Sequence, residues 1–494
     1  MFLIRFATVF LLVAALAACG DGNATSAASD GGAGGTGDTS SSTTTAGENA
    51  VLSSASASSV GTGAGGTNPD DPYGCMQGSP PQRPASIPEG YRPYTCWSQK
   101  PQCMLWIPED PETMIDPLEW EPCAVGAPGG GGCRQMKRPW WNGLDTAIGA
   151  TFPALPEIDR MGDKTLLHLA RTAITGQGSD ESWIEWDVYE VDGPALFGMR
   201  KHVPGEVNCR YQDYDVTDGV WVISPYGDDT ESVFTTPLDG AIVVDVRSKA
   251  ISLPYRDGGP AKSSWGAGSS GLLRYTGPDL FLHNLAVDTS ITIHSAATDP
   301  LGATANTYQM VGDAVLWNAW TSSTVGIRAY DPEHGSRDLV RYLDDPTRGA
   351  GAAGTDGVDL VWMEGSGREP DNYTYPIRSI MTSPFTTDAA ALEPRRLRTD
   401  LSESFGTPND AYRVGCGWAA KSGGASRKDV QVVRLADGQG WNLLHTDQLW
   451  QPFVIGMTCD ELFLLVQFRV DGVPQRSTIQ RIRFDSLGEG EPAD

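Results

Sequence analysis

The chain has 494 residues with 36 basic and 62 acidic side chains, a formal charge of −26 and a sequence pI near 4.5. That balance argues against a nucleic-acid partner, whose phosphates need a Lys/Arg surface, and against docking on anionic lipid through a basic face. Length allows two or three domains, or one large all-β domain with extensions, and 40% hydrophobic with 20% charged residues is ordinary for a globular protein.

Residues 1–18 carry one early positive charge, Arg5, then an apolar run from Phe6 to Leu16 and small residues. This is the pattern of a secretory signal, shorter than the roughly 20 apolar residues of a spanning helix. The run ends in Leu16-Ala17-Ala18-Cys19, which resembles the lipobox of bacterial lipoproteins. The resemblance implies cleavage before Cys19, diacylglycerol on its thiol, and a membrane contact made through that lipid alone. Gly20 follows the cysteine in place of the aspartate that retains enterobacterial lipoproteins in the inner membrane. An outer-membrane or cell-surface address is therefore expected. Residues 19–71 are almost wholly Gly, Ser, Thr, Ala, Asn and Asp. Such a composition cannot bury enough apolar surface to offset the entropy of ordering, and predicts a disordered tether with a reach of about 40 Å.

Eight cysteines remain beyond Cys19: Cys75, Cys96, Cys103, Cys123, Cys133, Cys209, Cys416 and Cys459. An even number in an exported chain suggests four disulfides. No CxxC or HxxxH occurs and the six histidines are scattered, so no metal set is expected. Residues 72–160 are rich in Pro, Cys and Trp, with little periodicity, and read as a disulfide-stapled cap. Five of the cysteines fall there, which leaves one over for Cys209.

From residue 161 to about 490 a weak two-part unit recurs. Its first half is an Asp or Gly turn and an apolar strand: GDKTLLHLA at Gly162, TDGVWVIS at Thr217, GPDLFLHNL at Gly277, GDAVLWNAW at Gly312, TDGVDLVWME at Thr355, GCGWAA at Gly415 and TCDELFLLVQF at Thr458. Its second half is a strand ending in a polar turn, as in AIVVDVRSKAISL at Ala241, GIRAYDPEHGSRDLV at Gly326, VQVVRLADGQGWNLL at Val430 and TIQRIRFDSLGEG at Thr478. β-Branched residues and Asp/Gly turns make these antiparallel hairpins, so the chain is expected to be all-β. The copies start 35 to 60 residues apart, the period of a four-stranded propeller blade. Seven copies predict a β-propeller of seven blades; six or eight fit the spacing too, and two successive β-sandwiches are the rival. Cys416 and Cys459 stand at nearly equivalent places in adjacent units and are the first disulfide expected. A strand from the N-terminal region is a candidate to complete the last blade.

The paired signature, with its I-x-x-Y-D-P-x-x-G strand at Ile327, is similar to that of generic bacterial propeller lipoproteins over residues 161–490. LADGQGW at Leu435 is a single echo of the quinoprotein-type repeat. The boxes of WD repeats, sialidases and TolB-like repeats are missing, so no catalytic residue carries over. The chain has no G-x-S-x-G elbow, GxxxxGK[ST] or HExxH, and GAGSSG at Gly266 reads as a loop. No catalytic set and no cofactor are expected. Asp213, Asp215 and Asp218 lack the Gly and Glu an EF-hand loop requires, and turn aspartates ordinarily bond their own backbone. Trp221, Trp317 and Trp362 recur in one strand of the unit, which favours packing. Trp97, Trp106, Trp140 and Trp141 lie outside the repeats and are better candidates than these for an exposed aromatic surface, though packing within the cap is favoured for them too. The sequence thus points to a lipid-anchored extracytoplasmic propeller that binds a protein or glycan, or acts as a scaffold. The alternative is a polysaccharide hydrolase or lyase with paired carboxylates in the central funnel.

Overall fold

The computed structural model of the chain describes residues 82–85, 87–94, 105–138, 141–142, 156–174, 182–203, 211–225, 242–252, 263–267, 271–276, 279–284, 289–299, 304–320, 325–342, 344–368, 375–400, 411–422, 429–444, 450–470 and 473–493. Five short strands come first: β1 (Tyr91–Tyr94), β2 (Leu105–Pro108), β3 (Trp120–Pro122), β4 (Cys133–Met136) and β5 (Trp141–Asn142). A one-turn helix, Pro111–Met114, is capped by the Asp110 side chain.

The repetitive region then forms seven successive antiparallel sheets. The first holds β6 (Glu157–Met161), β7 (Lys164–Ile174), β8 (Ser182–Glu190) and β9 (Ala195–Val203). The second holds β10 (Tyr211–Thr217), β11 (Val220–Pro225), β12 (Ile242–Asp245) and β13 (Ala250–Ser252). The third comprises β14 (Ser263–Ala267), β15 (Gly271–Thr276), β16 (Asp279–Asn284) and β17 (Thr289–His294). In the fourth are β18 (Thr304–Val311), β19 (Ala314–Trp320), β20 (Val325–Asp331) and β21 (Gly335–Val340). The fifth has β22 (Gly349–Thr355), β23 (Asp359–Ser366), β24 (Ile377–Pro384) and β25 (Arg395–Thr399). The sixth has β26 (Arg413–Gly415), β27 (Trp418–Ser422), β28 (Asp429–Arg434) and β29 (Gly440–Leu444). The last contains β30 (Trp450–Met457), β31 (Glu461–Val470) and β32 (Val473–Arg483). The fold is an all-β propeller.

The inner strands β6, β10, β14, β18, β22, β26 and β30 touch in sequence, and β30 touches β6 again, so the ring is closed. Each sheet packs on both neighbours, which buries both faces of its middle strands. That is why β31 reads as an unbroken apolar run, with Leu462, Phe463, Leu464, Leu465 and Val466 all fully buried. The core is accordingly a set of layers between sheets. One layer joins Leu167 and Leu169 of the first sheet to Phe463, Leu465 and Ile479 of the last. Another joins Val430 and Val432 to Leu462, Leu464 and Ile482.

Equal four-stranded units were the expectation, and the structure differs at both ends of the ring. Five sheets are four-stranded, whereas the first and last are extended by N-terminal strands. β2 pairs with β9 and β1 with β2. β4 pairs with β32 through Arg134↔Arg481 and Ile482↔Cys133, and β3 pairs with β4. An N-terminal strand thus covers the edge that the three C-terminal strands would leave open. The described strands of the stretch expected to be a cap are sheet edges, and the boundary expected at residue 160 falls inside β6. Backbone ladders, which a count of cysteines and prolines does not report, decide this placement.

Six of the seven apolar repeat copies form the second strand of their sheet, whereas the copy at Gly277 forms the third, β16. Both slots are paired on two edges and suit the same composition. Four of the turns before those second strands are two-residue hairpins, as where Asp218-Gly219, with φ of 50° and 75°, links Thr217 to its partner Val220, whereas four residues separate the pairs Thr355–Leu360 and Met457–Leu462. GAGSSG is not simply a loop, since Gly266 and Ala267 end β14 and Gly271 opens β15.

Turn aspartates bond their own backbone, as Asp331 does to the N–H groups of Glu333 and His334 at 3.0 and 2.8 Å. Some also reach the next sheet. Asp159 of β6 accepts from the Asp218 and Gly219 N–H groups at 2.9 and 2.7 Å. Asp356 likewise accepts from Cys416 N–H at 3.1 Å, and Gln309 both donates to and accepts from the Thr355 backbone. These clamps set the pitch from one sheet to the next.

Candidate functional site

On the face carrying the first and third turns of each sheet, a groove of about 410 Å³ opens between the sixth and last sheets. Its floor is aromatic. Trp418, the first residue of β27, stacks on Phe484 with ring centres 4.3 Å apart and planes 6° from parallel. Trp441 of β29 leans on Trp418 at 5.4 Å. Its indole N–H donates to the Gly488 carbonyl at 3.2 Å, which pins the ring beneath the C-terminal segment. Phe484 and Trp441 are buried, whereas Trp418 keeps part of its surface in solvent.

The rim is polar and internally paired. Arg434 makes a two-pronged contact with Asp437, Nε to Oδ1 at 3.0 Å and Nη2 to Oδ2 at 2.5 Å, and also donates to Gln439 Oε1 at 2.6 Å. The Arg434 hydrogen bond, helped by the Gln439 backbone N–H, holds the Asp437 carboxyl down at about 2. Arg483 pairs with Asp485, and Asp460 stands exposed beside Cys459. A second groove of about 580 Å³ shares Arg483 and Asp485 and adds Arg134, Glu461 and Arg481.

Cys459 lies in the wall of the first groove and is bonded to Cys416, with Cα atoms 5.0 Å apart. The bond ties the first turn of the sixth sheet to that of the last. Cys123 and Cys133 are also bonded and close the β3–β4 hairpin, with Cα atoms 5.5 Å apart. Cys19, Cys75, Cys96, Cys103 and Cys209 lie outside the described residues, as do Trp97 and Trp140.

The other sequence candidates are structural. Trp221, Trp317 and Trp362 are fully buried between sheets. Trp106 is 2% exposed, packed with Ile87, Tyr91 and Met114, so it offers no aromatic surface. Asp213 and Asp215 lie on β10, and Asp218 sits in the next turn with its carboxylate on Arg247.

Buried charge is concentrated elsewhere in the ring, and it is paired. Asp187 holds Arg200 at 2.5 Å, with Glu185 at 3.5 Å from the same guanidinium. Burial pushes the neighbouring Tyr91 hydroxyl up to about 12. Asp400 lies 3.5 Å from Lys421 and accepts from the Tyr412 hydroxyl at 3.2 Å, all three being buried. Burial, with Asp400 adjacent, keeps Tyr412 protonated. His168 is fully buried, edge-on to Trp221 at 5.4 Å and 3.9 Å from Asp159; burial lowers it to about 3.

Of the groove residues only Cys459 was singled out from the sequence, as a disulfide partner and not as a ligand contact, although Trp418, Trp441 and Phe484 all fall within quoted repeats. One signal was present. Trp317 and Trp362 are the fourth residues of their strands and Trp221 the second, whereas Trp418 is the first of its own. That displacement carries the ring to the sheet end, where solvent reaches it.

No family model matches the chain, and no curated protein matches it. Solved structures resemble it at low similarity. The β-propeller domain of the Trilobed protease from Pyrococcus furiosus is 8% identical with a TM-score of 0.41, over 69% of this chain and 96% of that one. The Pyrococcus horikoshii acylaminoacyl peptidase is 10% identical at 0.40, over 71% and 54%. Regucalcin, a calcium-binding protein from Agrobacterium tumefaciens, is 12% identical at 0.31, over 58% and 92%. They assign no family. Activity and ligand have to be argued from this chain's own residues.

Proposed function

We propose that the protein is a lipid-anchored, extracytoplasmic propeller of seven blades that presents a rigid binding surface to a protein or glycan outside the cytoplasm. The first blade would be β6–β9 and the seventh β30–β32 with β4, which fits the closed cycle of inner strands. The groove carries the binding reading. An aromatic floor with a few convergent polar groups is the usual composition of a ligand site, and this volume lies within the roughly 300–1,000 Å³ range of such sites. The disulfide in its wall and the two rings braced against Trp418 hold the shape before any ligand arrives, which lowers the cost of binding. The lipobox at Cys19 and the tether behind it support the anchor.

Catalysis in the central funnel would need two available carboxylates on different inner strands. Among the described residues the inner strands carry Glu157 and Asp159 on β6 and Asp213 and Asp215 on β10; Glu157 lies 3.8 Å from Arg413 of β26, and Asp159 accepts from three backbone N–H groups. The aromatic groove, rather than these acids, carries the leading reading. Two experiments test it. Cys19→Ala should move the protein from the membrane fraction to the soluble one; unchanged lipid labelling would refute the anchor. A glycan array and a pull-down from extracellular material, both with the full chain, should return a ligand in at least one arm, and silence in both would sink the binding role.

A further inference from the structure

We infer that the groove between the sixth and last sheets takes an uncharged oligosaccharide, with one sugar ring lying on Trp418. This inference rests on the binding reading above and narrows it to a ligand class.

Three observations point the same way. First, Trp418 is the most exposed ring of the aromatic floor, and its orientation is fixed by Phe484 at 4.3 Å and Trp441 at 5.4 Å. A flat, preset aromatic face suits the C–H face of a pyranose, which it can cover without ordering itself first. Second, the rim offers donors and acceptors side by side. Arg434 and Gln439 line the groove and are held by Asp437 beside it through contacts of 2.5–3.1 Å, and Gln439 is itself anchored by donating to the Gly490 carbonyl at 3.2 Å. Vicinal hydroxyls, each both donor and acceptor, match such an array. Third, the rim charges largely cancel. Arg434 faces Asp437 and Arg483 faces Asp485, while Asp460 adds a single exposed carboxylate. A chain of net charge −26 adds a field that repels polyanions. A uronic-acid or sulfated chain is therefore disfavoured relative to a neutral one.

The test is a titration of the full-length protein in detergent with maltotriose, cellotriose and chitotriose, followed by calorimetry and saturation-transfer NMR, with trigalacturonate as the charged control. At least one neutral trisaccharide should bind and trigalacturonate should not. Trp418→Ala should weaken binding by roughly tenfold or more. Because Trp418 also packs in the layer between two sheets, Asp460→Ala serves as the second variant; its side chain is exposed and its loss should weaken binding several-fold without unfolding. The inference is overturned if no neutral trisaccharide binds, if both variants bind like the wild type, or if trigalacturonate binds as tightly. A protein ligand captured in the groove and lost in Trp418→Ala, with no saccharide bound, would also overturn it while leaving the broader binding role intact.

Discussion

At the scale of single residues, the molecule uses its polar groups mainly as struts. His168 is the clearest case for pH. Its folded pKa lies near 3 against 6.5 in the unfolded chain, because burial penalises the charged ring. Above pH 6.5 both states are neutral and this residue adds no pH dependence. Below it the unfolded chain takes a proton that the folded state refuses, so stability falls by up to about 1.4 kcal/mol per pH unit until the folded pKa is reached. Urea unfolding between about pH 7.5 and 5 should therefore show a steeper loss for the wild type than for His168→Phe. Parallel curves would contradict the assignment. Asp400 supports a second prediction. Asp400→Ala removes the carboxylate 3.5 Å from the buried Lys421 and should cost about 3–5 kcal/mol, whereas replacing both by apolar residues should cost far less. Denaturation of the two single variants and the double variant checks this.

At the scale of elements, the two disulfides and one glycine-rich strand decide how neighbours meet. The Cys416–Cys459 bond spans 43 residues and closes that loop in the unfolded chain. Cys416→Ser should lower stability by about 2–4 kcal/mol on loop entropy alone. A melting temperature unchanged from the wild type would show that the apolar layer between the sixth and last sheets suffices without the bond. The inner strand β22 reads Gly-Ala-Gly-Ala-Ala-Gly-Thr, which as a pattern argues weakly for a strand. The structure supplies the reason for the small residues. A Cβ on Gly354 would sit 1.8 Å from the Tyr412 carbonyl oxygen, and the Tyr412 N–H donates to Ala352 in the same strand. Gly354→Ala must therefore push two backbones apart, and is expected to raise hydrogen exchange in β22 and β26 before it unfolds the ring.

At the scale of the whole molecule, stability depends on closing the ring between its first and last sheets. Phe463 is fully buried in the layer that joins them. Phe463→Ala should cost about 3–5 kcal/mol, measured by thermal or urea unfolding, and should loosen β6 and β30 together. If only the last sheet loosened, the layer would not be what closes the ring. The all-β class and the hairpins with Asp or Gly turns were legible beforehand, because strand periodicity and turn residues act over a few positions. Trp221, Trp317 and Trp362 were legible as packing for the same reason: a residue recurring in one strand of a repeat meets the same layer each time. Edge placement was legible in part: an N-terminal strand was expected to complete the last blade, as β4 does on β32, but neither which strand it would be nor the extension of the first sheet by β1 and β2 could be read. β1 to β4 lack a strong period, and their partners β9 and β32 lie far along the chain.

By itself the sequence determined that this is an acidic, repetitive chain of hairpins with an export signal pattern, since those properties are local or compositional. It also identified the Cys416–Cys459 pair, because equivalent turns of adjacent repeats come close in a ring. Only the tertiary structure decided that β4 is the strand that completes the last sheet, that β1 and β2 extend the first, and that aspartates clamp one sheet to the next. The aromatic groove likewise became visible only there. Trp418, Arg434 and Trp441 belong to the sixth sheet and Asp460 and Phe484 to the end of the last, and the two groups meet only because those sheets pack face to face.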